Sequence, residues 1–212
     1  MIKIKALPYN ALEVNTYIVS DETLECVIID PACEYESELK ALLAYIDENQ
    51  LKPVHILITH PHIDHILSTE KLCTQYHLPL EMHIDGKAIL EDAPLHASVF
   101  GFHLNALPKE YLYIGDKDKI QFGHSELEAR YVPGHCDGSL CFVAHADKTV
   151  FSGDVLFYGS IGRSDLPTGD YDQLKKSIHE QLFTLADDFT VRPGHGGRTT
   201  IEHERKHNPF LG

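Results

Sequence analysis

Short runs of β-branched and apolar residues alternate with turn residues along most of this chain, and two longer stretches carry an apolar stripe of helical period. Ile2 to Leu7 and Asn15 to Ser20 read as strands, and Cys26-Val27-Ile28-Ile29 as a buried strand ending at the Asp30-Pro31 turn. From Glu34 to Glu48, Leu39, Leu42, Leu43 and Ile46 follow the i, i+3, i+4, i+7 rule and predict a helix, which Pro53 keeps from continuing. Val54 to Ile58 is another short buried strand, and it delivers the chain to Thr59-His60.

A helix is expected from His65 to Tyr76 and a strand around Leu80 to His83. Residues 85 to 118 are the least regular part and suggest a short helix followed by a long loop. Strands return at Lys119 to Phe122, Glu126 to Val132, Leu140 to Ala144 and Thr149 to Ser152. Leu174, Ile178, Leu182 and Leu185 set a helix over Tyr171 to Leu185; a strand near Phe189-Thr190-Val191 and a helix after Thr200 close the chain. Strands, helix, strands and helix thus occur in two similar halves, as expected of an α+β chain with two sheets face to face and helices outside.

The 212 residues are 43% hydrophobic, enough for a sizeable core, and no linker-like stretch divides them, so residues 1–212 read as one domain. Against 18 Lys and Arg stand 32 Asp and Glu, a net charge of −14 that disfavours nucleic acid and anionic membrane surfaces as partners. Cys26, Cys33, Cys73, Cys136 and Cys141 are odd in number and form no CxxC pair, which argues for a reducing compartment. With no signal-peptide core and no membrane-spanning run, the expectation is a cytoplasmic protein.

Fifteen histidines are unusual, and their spacing gives them meaning. Thr59-His60-Pro61-His62-Ile63-Asp64-His65 sets three imidazoles and a carboxylate within six residues, directly after a buried strand. Residues i and i+2 of an extended segment point the same way, so His60 and His62 can share one metal. Asp64 and His65, where the chain turns into a helix, can face a second. Nitrogen and carboxylate donors suit Zn²⁺, and also Fe or Mn. Three further segments end a strand at a glycine beside a metal-capable side chain: Pro133-Gly134-His135, Ser152-Gly153-Asp154 and Pro193-Gly194-His195.

The order HxHxDH, His, Asp, His resembles the metallo-β-lactamase superfamily. The spacing and the Ile29-Asp30-Pro31 turn are similar to its glyoxalase II-like (hydroxyacylglutathione hydrolase-like) branch. Gly162-Arg163-Ser164-Asp165-Leu166-Pro167 and the tail Gly194-His195-Gly196-Gly197-Arg198-Thr199-Thr200 to Asn208-Pro209-Phe210-Leu211 resemble the short single-domain members. The resemblance implies a four-layer αββα sandwich of two mixed β-sheets flanked by helices. It implies two Zn²⁺ per chain, one on His60, His62 and His135 and the other on Asp64, His65 and His195. Asp154 would bridge them, and Asp64 and Asp154 would be the catalytic carboxylates. The implied reaction is attack of a metal-bridging hydroxide on a small-molecule thioester, ester or lactone. Asp30 is the candidate for holding a ligand from behind.

Other readings carry different expectations. A persulfide dioxygenase of the same superfamily would use one Fe on His60, His135 and Asp154, and a binding module would hold metal without turnover. The C-terminal helical domain that grips glutathione in glyoxalase II has no counterpart in the roughly 17 residues after His195. The remaining histidines, His55, His83 and His96 among them, lack partner spacing and read as surface or turn residues. Cys136 reads as an inert small residue beside a ligand, with a redox-sensitive thiol as the alternative. Arg163 and Asp165 read as a pair that fixes their loop. Tyr158 and the aromatics of 100 to 113 are candidates for the substrate mouth.

Overall fold

The computed structural model of the chain describes residues 1–212 apart from Asn105 and the side chain of Phe100. One six-stranded sheet is built, in spatial order, from β1 (Lys3–Tyr9), β2 (Val14–Ser20), β3 (Glu25–Ile29), β4 (Lys52–Leu57), β5 (Leu80–Met82) and β6 (Tyr111–Tyr113). Its first three strands are antiparallel and the rest run parallel. The second half of the chain forms β7 (Lys119–Phe122), β8 (Ser125–Tyr131), β9 (Leu140–Ala144) and β10 (Thr149–Gly153). A small hairpin of β11 (Leu156–Phe157) and β12 (Ser160–Ile161) follows, then β13 (Thr190–Pro193) and β14 (Thr199–Thr200). The second six-stranded sheet has the order β14-β13-β10-β9-β8-β7, with only β10 and β13 parallel.

Period-two alternation decides what each face meets. Phe142 and Phe151 point between the sheets against Tyr17, Val27, Ile29 and Leu57. Their neighbours Val143 and Val150 point outward, onto Leu174 and Ile178 of the helical layer formed by α5 (Tyr171–Ser177) and its continuation, with Ile201 of α6 (Ile201–His207). On the other side Ile18, Ile28 and Ile56 pack under α1 (Glu36–Glu48) and α3 (Thr69–Tyr76), meeting Leu42, Ile46 and Leu72. The layers are therefore αββα, the arrangement expected from the sequence.

The departures have local causes. Pro53 lies inside β4 rather than before it, and the β3–β4 register shifts between Cys26 and Val27, beside the residue that has no N–H to give. The helix expected over His65 to Tyr76 is two: α2 (Ile63–Ile66) and α3. Ser68 breaks it by donating its N–H to the Pro31 carbonyl and accepting from Cys33 N–H through its hydroxyl. The helix after Tyr171 widens into a π turn over Ile178–Leu182, where the Arg130 guanidinium takes the Gln181 carbonyl. Within 85 to 118 the short helix is α4 (Lys87–His96), but the loop after it holds β6, whose three residues are too few for an alternation to be read. Among the described residues no helix is long and apolar enough to cross a membrane.

Phe142 is fully buried between the sheets, so Phe142→Ala is expected to cost about 3–5 kcal/mol of stability, measured by urea unfolding.

Candidate metal centre

Every residue the sequence singled out for metal lies at one rim of the sandwich, on the loops that leave parallel-running strand ends. β4 delivers His60, His62, Asp64 and His65; β8 delivers His135, β10 Asp154 and β13 His195. Backbone hydrogen bonds sew these loops together: Leu140 N–H to Thr59 O at 2.7 Å, Gly194 N–H to Gly153 O at 2.8 Å, and Asn15 N–H to Gly194 O at 2.7 Å. Asn10 reaches across from the β1–β2 turn and donates to the Asp64 carbonyl at 3.0 Å. Two glycines are sterically required. A Cβ on Gly194 would lie 2.3 Å from Asp154 Oδ1, and one on Gly134, at φ +123°, would lie 2.2 Å from the Leu174 backbone nitrogen.

Hydrogen bonds on the outer nitrogens settle which ring nitrogen each histidine turns inward. His65 Nδ1–H donates to Asp30 Oδ2 (3.0 Å), His135 Nδ1–H to the Arg163 carbonyl (2.7 Å) and His195 Nδ1–H to the Leu12 carbonyl (2.8 Å). Thr59 is a relay: its hydroxyl donates to Asp30 Oδ2 (2.7 Å) and so accepts from His60 Nδ1–H (3.0 Å). All four rings therefore present Nε2 to one space. His62 presents Nδ1 instead, 2.9 Å from His135 Nε2. His60 Nε2 and Asp154 Oδ1 are buried with no hydrogen-bond partner, an expensive state unless a cation completes them.

Three donor groups converge: His60, His62 and His135; His60, His65 and Asp154; and Asp64, His65 and His195. Two donors on one tetrahedral Zn²⁺ lie about 3.3 Å apart, given metal–ligand distances of roughly 2.0–2.1 Å. The observed separations lie at or slightly above that value: His65 Nε2 to His195 Nε2 3.3 Å, His195 Nε2 to Asp64 Oδ2 3.3 Å and His65 Nε2 to Asp64 Oδ2 3.6 Å. Asp154 faces the same nitrogens with both oxygens, Oδ1 3.4 Å from His65 and Oδ2 3.5 Å from His195. The donor set fits a metal on chemistry and spacing.

Electrostatics divides the cluster in two. Burial, with the neighbouring imidazoles, holds His60 well below the ordinary histidine range; burial and His135 take His62 to about 4, and burial lowers His135. On the other side burial is outweighed. The Asp154, Asp64 and Asp30 carboxylates raise His65 well above its ordinary value, and hydrogen bonds to Asp154 and Asp64 lift His195 to about 10. Burial would raise the Asp154 carboxyl, but His65 and His195 hold it well below the usual range. The carboxylates thus favour positive charge at His65 and His195, the charge a metal cation would bring to the acidic half.

The cluster forms the floor of a cavity of about 550 Å³ with mainly apolar walls. Ile89, Asp92, Ala93 and His96, at i, i+3, i+4 and i+7, bring one face of α4 onto it, and Phe102, Leu166 and Pro167 line it too. His96, read from the sequence as an ordinary surface histidine, lines this cavity; the α4 spacing was the available signal. Of the aromatics proposed for the mouth, Tyr158 instead stacks on His203 and Tyr111 and Tyr113 lie on edge strand β6, while Phe100 falls outside the described side chains. His55 pairs with Glu81 at 2.5 Å and His83 stacks on Tyr131 at 4.0 Å, both away from the cluster. Arg163 and Asp165 form the expected pair, at 2.8 and 2.9 Å. Cys136 is buried against Ser139, and burial pushes its thiol up to about 12, so it is chemically quiet; all five cysteines are free.

Fold and donor set together are those of a metallo-hydrolase, and comparison with known proteins agrees. The metallo-beta-lactamase superfamily matches residues 9–195, and the chain belongs to that superfamily. It is 37% identical to the probable metallo-hydrolase YqgX of Bacillus subtilis, over 99% of this chain and 98% of that protein. It is 34% identical to the hydroxyacylglutathione hydrolase GloC of Haemophilus influenzae, again over 99% and 98%. Among solved structures, TTHA1623 in a di-iron-bound form superposes with a TM-score of 0.88 at 33% identity, covering 98% of this chain and 100% of that one.

Because His65 and His195 hold protons that a cation must displace, adding Zn²⁺ to chelator-treated protein at pH 7 is expected to release protons. Affinity should rise with pH up to about 10. Calorimetry in buffers of different ionisation enthalpy measures both. The sign for stability is opposite: both groups are raised on folding, so the metal-free fold gains at pH below the ordinary histidine value, and the His195 share of that gain is lost as pH rises through about 10.

Proposed function

We propose that this chain is a dinuclear metal-dependent hydrolase, with Zn²⁺ as its metal, that cleaves small-molecule thioesters or related carbonyl compounds. The observation that carries this reading is the pair of orphaned buried atoms, His60 Nε2 and Asp154 Oδ1, among the rings of His65, His135 and His195, whose outer Nδ1–H groups are engaged so that each turns Nε2 inward. His60, His62 and His135 would hold one ion, and Asp64, His65 and His195 the other. Asp154, which converges with His60 of the first set and His65 of the second, would be shared between them. Bound there, the ions would supply an acidified water at neutral pH and a Lewis acid for a carbonyl oxygen.

The protein's own residues do the rest. Asp30 is buried and takes three hydrogen bonds: from Thr59 N–H (2.6 Å), Thr59 Oγ1–H and His65 Nδ1–H. It fixes the tautomer of His65 directly and of His60 through Thr59. Asp64 Oδ2, 3.3 Å from His195 Nε2, is placed to take a proton at the acidic end of the cluster. The apolar walls, with Phe102 and Leu166, offer an acyl group apolar contact over the floor. The relationship to a hydroxyacylglutathione hydrolase supports a thioester as the bond cleaved.

Elemental analysis of protein purified without added metal, followed by assay of a thioester panel, tests the proposal. About two Zn²⁺ per chain with hydrolysis that needs no oxygen is the expected result. About one Fe per chain with oxygen uptake on a glutathione persulfide would overturn it in favour of the persulfide dioxygenase. Asp154→Ala should lose bound metal and abolish turnover, whereas two retained ions and near-normal rates would remove Asp154 from the bridging position. Asp30→Asn should lower metal affinity or activity by about 10–100-fold while the fold survives, checked by competition with a chelator.

A further inference from the structure

Beyond the metal-type cluster, the residues lining the cavity include three exposed polar side chains: Asp92 and His96 on α4, and Arg163. Arg163 has its Nε and Nη2 on the two oxygens of Asp165, at 2.8 and 2.9 Å, so its charge is already matched. Asp92 has no hydrogen-bond or ion-pair partner among the described residues, and no lysine lines the cavity. The lining is otherwise apolar, and the chain as a whole carries −14. A substrate whose acyl carbon sits over the cluster shares this cavity with an unmatched carboxylate and a cation that is already occupied.

We infer that Asp92 is a specificity residue that selects the charge of the leaving group, so that the enzyme prefers thioesters of cationic or neutral thiols over those of anionic ones. This rests on the thioester-hydrolase reading above. Reaction is ordinary hydrolysis: the acyl–sulfur bond breaks, the water oxygen goes to the acyl carbon, and the thiol leaves with the proton. Only the recognition of the departing half is new. Asp92 attracts a positive group there and repels a carboxylate, while Ile89 and Ala93 beside it on the same helix face accept the intervening methylenes. A unit charge within several ångströms at a protein surface is worth roughly tenfold in such a preference.

The test uses the metal-loaded protein and three acetyl thioesters of short thiols that are cationic, neutral and anionic: acetylthiocholine, S-acetyl-N-acetylcysteamine and S-acetyl-3-mercaptopropionate. The expected order of kcat/KM is cation, neutral, anion, with about tenfold between the ends at low salt and a smaller span at high salt. The matching S-ethyl thioethers, which cannot be hydrolysed, should bind in the same order by calorimetry. Asp92→Asn should compress the cation-to-anion ratio to below about threefold, and Asp92→Glu should keep it. Turnover of all three at equal rates, or fastest for the anion, would overturn the role of Asp92 and leave the hydrolase reading standing. No turnover of any thioester, with metal bound, would overturn both.

Discussion

The site depends on one buried carboxylate that is not itself turned toward it. Asp30 sits in a left-handed backbone conformation at φ +52° where β3 ends, and its side chain takes hydrogen bonds from Thr59 and His65. Those contacts close the turn after β4 onto the end of β3. They also make Thr59 an acceptor for His60, so a single anion orients two imidazoles that must face each other across a narrow gap. Without that constraint the rings could exchange tautomers, and their inner nitrogens would hydrogen-bond to one another or to water.

The surrounding fold supplies rigidity in proportion to how crowded the site is. Side-chain and backbone bonds from Asn10, Asn15 and Tyr17 hold the loops bearing Asp64 and His195, all from the first two strands and the turn between them. The sheet-to-sheet core of Phe142, Phe151 and Leu57 lies beneath and fixes the distance between the two halves of the donor set. The charge pattern follows from this crowding. Three imidazoles packed together with little anionic support are pushed toward the neutral form, whereas two packed against carboxylates are drawn toward the charged form.

The cavity above has different physics from the floor. Its walls are contributed by α4, the segment around Phe102 and the loop of Leu166 and Pro167, elements that pack on the sandwich rather than within it. Chemistry and recognition are thus carried by separate parts of the chain. This separation is why a shared fold and a shared donor set do not by themselves name a substrate.

Much of this was legible in the residues themselves. Strand alternation and the α1 stripe depend on local period, and they placed most elements; the HxHxDH segment and the three glycine-flanked residues named candidate donors that the fold brings together, because metal ligation demands particular side chains. The break between α2 and α3, the π turn at Gln181 and the strand β6 were not legible, since each is made by a partner distant in sequence: Pro31, Arg130 and Leu80. The same holds within the site. The carbonyls of Leu12 and Arg163 orient two histidines, yet any residue type has a carbonyl, so composition carries no trace of them. Which nitrogen each ring turns inward, and that Asp92 and His96 share a cavity with the donors, were decided only when the chain closed on itself.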